Sequence, residues 1–422
     1  MKARGPSKSF RLHIGIFGRR NVGKSSVLNA LTRQQVSIVS EVAGTTTDPV
    51  EKPMEMLPLG PVLFIDTAGV DDEGVLGAMR VEKTKRIFDR TDLAIIVAEA
   101  GAWGPFEEEI LAEFTRREIP VVAVFNKADI GLPSTELEAR LVSTGAKTVR
   151  MQAKKGEGVA AVREALIQSV PEEFLNPPPV IADLVPAGDM AVLVVPVDKE
   201  APKGRLINPQ VQAIRDLLDN GSYCLVVREH ELAEGLARLT RPPAIVVTDS
   251  QAFAKVVPLV PRDVKVTGFS VLFARLKGDV VEMARGTAAL DRLRPGDRVL
   301  VAEACSHHPI EGDIGREKIP KWLENKVGGA LRFSTVQGQD FPLDLAGYKV
   351  VIHCGSCMWN RRMMLSRIMR CREAGVPITN YGLVIAWALG YFERVIEPFP
   401  GALAAYRQAK DQSESQRHRE GR

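Results

Sequence analysis

Residues 18–25 read GRRNVGKS, and this octapeptide narrows the choice of fold more than any other stretch of the 422-residue chain. The pattern G-x-x-x-x-G-K-S works only between a strand and a helix. Gly18 and Gly23 let backbone N–H groups wrap phosphates, and the helix that follows turns the positive end of its dipole toward them. Both flanks are in place: RLHIGIFG reads as a strand running into the glycines, and SSVLNALTR has helical spacing. PVLFIDTAG and DLAIIVAEA are strand-like, residues 106–118 are helical, and PVVAVFNKAD is a further strand. Strands alternating with helices predict a parallel sheet covered on both faces. The fold class is therefore α/β, a P-loop domain followed by two smaller α/β domains.

Four companion motifs each fall where the loop chemistry needs them. In the loop itself, Lys24 reaches terminal phosphates and the Ser25 hydroxyl ligates magnesium, while Asn21, Val22 and Ser26 complete the cradle. DTAG (66–69) ends a strand; Asp66 is set to hold the magnesium shell, and the Gly69 N–H to meet a γ-phosphate. NKAD (126–129) ends another strand. The Asp129 carboxylate can accept two donors from a guanine edge, which adenine does not offer, with Asn126 and Lys127 bracing that pocket. AGTTTD (43–48) lies where a mobile switch belongs, with Thr46 the hydroxyl expected to close on magnesium when GTP is bound. QAKKGEG (152–158) supplies Ala153 and Lys154 as a base-stacking loop. The candidate catalytic set is Lys24, Thr46, Asp66 and Gly69, acting on GTP to give GDP and phosphate.

These motifs resemble the translation-factor-like GTPases, and within them the tRNA-modification GTPase (TrmE) and Era branch. Val70 follows DTAG where Ras-type enzymes carry a water-orienting glutamine, so hydrolysis must recruit help from elsewhere. In the resembling branch that help is a potassium ion beside an asparagine of the phosphate loop, a place that Asn21 occupies here. Potassium is then expected to accelerate turnover more than sodium. Gln152 departs from the branch, replacing the usual serine of S-A-K.

Beyond residue 170 the chain reads PEEFLNPPPV, and three consecutive prolines mark a linker. The domains expected are a GTPase domain over 1–174, a small α/β domain over 180–262, a third α/β unit over 263–403 and a polar tail over 404–422. AVLVVPV, CLVVRE and AIVVTD are strands of the second domain, and DRVLVAEA and YKVVIHC of the third. With 56 basic and 52 acidic side chains, the charge is too balanced to argue for nucleic acid. No run approaches the roughly 18 apolar residues of a membrane span. A cytoplasmic protein is expected.

The five cysteines are Cys224, Cys305, Cys354, Cys357 and Cys371, an odd and sparse count that argues against a disulfide framework. Cys305-Ser306-His307 follows the strand DRVLVAEA, and His353-Cys354-Gly355-Ser356-Cys357 follows YKVVI. Both clusters sit just past the carboxyl end of an expected strand, where open α/β sheets form ligand sites. If the strands are parallel neighbours, three sulfurs converge. A helix beginning near Trp359 would favour thiolate over thiol. Buried structural cysteines, a thioredoxin-like redox pair, a zinc site of three Cys and one His, and an iron–sulfur cluster on three cysteines all compete. Composition alone does not divide zinc from iron. Cys371 and His308 fit no motif and read as structural.

C-x-H, then about fifty residues, then H-C-x-x-C, downstream of a TrmE-like GTPase domain, resembles the HydF family of FeFe-hydrogenase maturation GTPases over nearly the whole chain. The resemblance implies a 4Fe–4S cluster on Cys305, Cys354 and Cys357 with one labile position, for which His307 and His353 are the candidate fourth ligands. It also implies a homodimer through the middle domain. The implied role is a scaffold and carrier for a di-iron cargo cluster, received from radical-SAM maturases and delivered to FeFe-hydrogenase apoprotein. The radical-SAM spacing C-x-x-x-C-x-x-C is absent here. Two alternatives stand beside this one: a tRNA-modifying TrmE-like GTPase and a zinc-stabilised regulatory GTPase.

Overall fold

The computed structural model describes residues 10–32, 50–67, 86–99, 102–176, 178–197, 204–304 and 313–420. Thr46, Gly69, Cys305 and His307, with Val70 and the AGTTTD stretch, lie outside the described residues. The chain divides into two compact units, Met1–Pro177 and Pro178–Arg422.

The first unit is built on β1 (Leu12–Phe17), β2 (Val50–Met56), β3 (Gly60–Asp66), β4 (Leu93–Glu99), β5 (Val121–Asn126) and β6 (Lys147–Arg150). Their spatial order is β2-β3-β1-β4-β5-β6, and every pairing but β2–β3 is parallel. β1, β4 and β5 are apolar almost throughout because helices cover both faces. Their side chains still divide by the strand period of two. Ile14, Ile16, Ile95 and Val97 pack with Val27 and Leu28 of the helix Lys24–Thr32 and with Val162 and Leu166 of the helix Val159–Gln168. Phe17, Ile96 and Ala98 point the other way, toward Phe88 and toward Phe114 of the helix Pro105–Arg116. Phe17 stacks on Phe88 with ring centroids 4.9 Å apart, and Phe114 meets both edge-on. Because β1, β3 and β5 run the same way, Gly18, Asp66 and Asn126 emerge on one edge of the sheet.

The second unit contains two sheets, each of four parallel strands. β7 (Met190–Val194), β8 (Tyr223–Val227), β9 (Ile245–Thr248) and β10 (Lys265–Gly268) lie in the order β10-β9-β7-β8. β11 (Arg298–Glu303), β12 (Arg332–Gln337), β13 (Tyr348–His353) and β14 (Ile378–Asn380) lie in the order β12-β11-β13-β14. The expected boundary at 262/263 therefore falls inside the first of these sheets. β10 buries Val266 and Thr267 in parallel pairing with β9, which so short a strand does not announce in the sequence. The boundary expected at 403/404 likewise falls inside an element, the helix Pro400–Glu420, whose Ala402, Ala405 and Tyr406 are buried. Among the described residues no helix is long and apolar enough to cross a membrane.

Candidate functional site

At the phosphate loop, backbone geometry explains the glycines. Gly18 has φ +144° and Gly23 has φ +95°, both favouring glycine. A Cβ on Gly18 would lie 2.2 Å from the Val97 carbonyl oxygen, and one on Gly23 2.3 Å from Asn126 Nδ2. Asn21 holds φ 63°, a left-handed conformation that asparagine tolerates better than most residues. Lys24 is buried, and its Nζ donates to the carbonyls of Gly18 and Arg19, each at 2.7 Å. Ser25 Oγ donates to Asp66 Oδ2 at 2.8 Å, so the two expected magnesium-shell residues meet directly. Val22 is buried beside them.

One buried side chain ties three motifs together. Asn126 Nδ2 donates to the Val22 carbonyl at 2.9 Å, while its Oδ1 accepts the Ala153 amide at 3.0 Å. The phosphate loop, NKAD and the 152–158 loop are thus fixed to each other. That last loop is closed by the Gln152 N–H donating to the Glu157 carbonyl at 3.0 Å, with Lys154 exposed on it. Lys127 stands at φ 56° with its Nζ on the Glu99 carboxylate, and Asp129 is exposed. Ser26 follows Ser25 in the first turn of its helix.

Sequence reading missed two partners of the loop. Glu99 ends β4 against Asn126 of β5. Glu107 is fully buried and accepts from Arg19 Nη2 at 2.7 Å and from the Gly104 amide at 2.9 Å. The signal for Glu107 is its place three residues after Gly104 at a helix start, where a carboxylate caps the first turn.

The cysteine site is built on the third sheet. β11 and β13 are parallel neighbours with Ala302 opposite His353. The Cys354 amide donates to the Ala302 carbonyl at 2.9 Å, and the Ala304 amide donates to Cys354 Sγ at 3.1 Å. Ala304 is the residue immediately before Cys305. Ser356, buried in a left-handed turn at φ 51°, carries the chain round to Cys357, whose carbonyl accepts Asn208 Nδ2 at 3.2 Å. The helix Arg361–Glu373 begins four residues later, capped by Asn360 through the Met363 amide at 3.3 Å.

His353 is completely buried, and neither ring nitrogen faces outward. Nε2 lies 2.8 Å from Arg367 Nη1, and Nδ1 lies 2.9 Å from the Cys354 carbonyl and 3.2 Å from Ser356 Oγ. Burial, then the Arg367 charge, lowers its pKa from 6.5 to about 3, only partly offset by the Cys354 carbonyl. The neutral ring is engaged on both sides, so this arrangement does not offer His353 as a fourth ligand. Cys371 is also buried, and burial pushes its thiol up to about 12, consistent with a structural role. Among the described residues no three His, Cys, Asp or Glu side chains gather closely enough to hold a metal ion.

Two further residues at this edge escaped the sequence reading. Glu303, 1% exposed, accepts from Gln337 Nε2 at 2.9 Å, Arg316 Nη2 at 3.2 Å and the Tyr381 hydroxyl at 3.4 Å. Tyr381 is raised well above its ordinary pKa by burial first, then by Cys354 and Glu303. Arg367 interrupts the buried stripe Met364, Ile368 and Cys371, and a charged residue at a stripe position is the signal that could have found it.

A family model described as a 50S ribosome-binding GTPase matches residues 13–127. The chain is 32% identical over 160 residues to tRNA modification GTPase MnmE of Chromobacterium violaceum, covering 38% of this chain and 35% of that protein. It is 32% identical over 182 residues to GTPase Der of Wolinella succinogenes, covering 39% and 38%. The chain thus spans little more than a third of the length of these curated relatives. Era of Aquifex aeolicus, solved with GDP·AlF4−, is 23% identical and covers 58% of this chain and 97% of that one, with a TM-score of 0.34, too low to bear on function. The hydrogen maturase F dimerization domain matches residues 180–278, and the hydrogen maturase F tetramerization domain matches 281–398. Two adjoining domains of one family, spanning more than half of the chain behind a GTPase domain, are the ground for the assignment: the chain belongs to the hydrogen maturase F family.

Proposed function

We propose that this chain is a GTP-hydrolysing scaffold that assembles a di-iron cargo and carries it to FeFe-hydrogenase apoprotein, with radical-SAM maturases as donors. Gly18, Asn21, Val22, Gly23, Lys24, Ser25 and Ser26 cradle the phosphates. Ser25, Asp66 and Thr46 serve magnesium, and the Gly69 amide meets the γ-phosphate. Asp129 reads guanine between Asn126, Lys127, Ala153 and Lys154. Asn21 is the candidate potassium residue. Closure of the segment around Thr46 on GTP alters contacts with partners, so that partner release differs between GTP and GDP states. The middle segment holds copies of the chain together as a dimer, and the 281–398 segment extends the assembly.

Cys305, Cys354 and Cys357 hold a 4Fe–4S cluster in this reading. When bound, such a cluster offers one iron without a cysteine ligand to a soft incoming group. The observation that carries the reading is the Ala304 amide on Cys354 Sγ at 3.1 Å, because it brings the chain entering Cys305 to the second cysteine motif. His307 remains the candidate for the fourth position. Anaerobic purification followed by iron, sulfide and zinc analysis tests this. A brown protein with about four irons per chain supports the scaffold. Stoichiometric zinc without sulfide overturns it.

A further inference from the structure

Arg367 lies on the inner face of the helix Arg361–Glu373, in line with Met364, Ile368 and Cys371, and is only 4% exposed. A guanidinium at such a position is costly unless it is held. Here it is held on every side. Nη2 donates to the Gly338 carbonyl at 2.5 Å. Its Cζ stands 4.2 Å from the Trp359 ring centroid and 4.5 Å from that of Phe341, between two aromatic faces. Nη1 lies 2.8 Å from His353 Nε2.

Arginine has donors only, so His353 Nε2 must accept. The ring proton then belongs to Nδ1, and the Cys354 carbonyl 2.9 Å away receives it. Neither nitrogen can turn ligand while this holds. Through Nε2, the ring would have to abandon Arg367. Through Nδ1, it would have to move its proton to Nε2, where two donors would face each other.

We propose that Arg367 is a positioning residue that withholds His353 from the iron–sulfur site, so that His353 does not close the coordination position that the three cysteines leave unfilled. A small soft donor suits that position on a thiolate-bound iron, with cyanide as its probe. This inference rests on the reading of Cys305, Cys354 and Cys357 as cluster ligands.

The test uses the full chain labelled with 15N-histidine, reconstituted anaerobically, reduced and measured by pulsed EPR. The wild type is expected to show no strongly coupled nitrogen from His353, its spectrum matching that of His353→Ala, and to gain a 13C coupling on addition of 13C-cyanide. Arg367→Met is expected to gain a strongly coupled histidine nitrogen that Arg367→Met combined with His353→Ala lacks. Arg367→Lys, which keeps a donor, should behave as the wild type. A strongly coupled histidine nitrogen in the wild type that His353→Ala removes overturns the proposal. So does an Arg367→Met protein that retains its cluster and shows none. If the Met variant does not fold, 15N shifts of His353 in the cluster-free wild type decide: a proton on Nδ1 supports the lock, and a proton on Nε2 overturns it. A wild type that takes up no iron and sulfide sinks the cluster reading itself, which a cluster-bearing protein with an altered His353 signal does not.

Discussion

Asn126 uses both ends of its amide, one on Val22 and one on Ala153, and no other residue type of its size offers a donor and an acceptor so placed. Asn126→Ala should therefore loosen two loops at once. At about 1 kcal/mol per hydrogen bond, GDP affinity should fall roughly 10- to 100-fold, measured by titration with a fluorescent nucleotide. An affinity within twofold of the wild type would refute this coupling. Asp129→Asn tests the base reader: an amide offers a donor where the carboxylate only accepts, so preference should move from GTP toward XTP in the same titration. At this scale Gly18, Gly23 and Asn126 were readable because they stand in motifs of fixed spacing, although Asn126 meets Val22 across 104 residues. Glu107 and Arg367 stand in no such motif, and their partners, 88 and 14 residues away, are named only by the folded chain.

Between elements, the pairing of β11 with β13 sets the cysteine site, and Cys354 is the residue that touches both strands. Cys354→Ser should lose most of the reconstituted iron, by colorimetric assay, while circular dichroism stays unchanged. His353 adds a pH dependence at the end of β13. Its pKa is lowered from 6.5 to about 3 on folding, so the unfolded chain binds the proton more readily between those values. Stability is fully present above about 6.5 and is lost as pH falls toward 3. Denaturant titration of the cluster-free protein at pH 7 and pH 5 should show the loss, and His353→Asn should reduce that difference. The strands themselves were legible from their apolar runs. Which sheet β10 joins was not, because four residues carry no record of their neighbour.

For the molecule as a whole, each compact unit has its own strands and its own core. Residues 178–422 expressed alone should fold cooperatively and bind iron as the full chain does, while failing to bind GDP. Turnover of GTP by the full chain should be several-fold faster in potassium than in sodium chloride at equal ionic strength; equal rates would remove Asn21 from that role. The sequence by itself determined the nucleotide chemistry, since a phosphate loop is a local object whose glycines, lysine and serine do their work within eight residues. It also determined the rhythm of strands and helices, which follows from side-chain periodicity. Only the tertiary structure decided that the amide before Cys305 meets Cys354 and that Arg367 occupies His353. Contacts between strand ends and across a helix face depend on sheet order and register, and these are properties of the packed chain, not of any single segment.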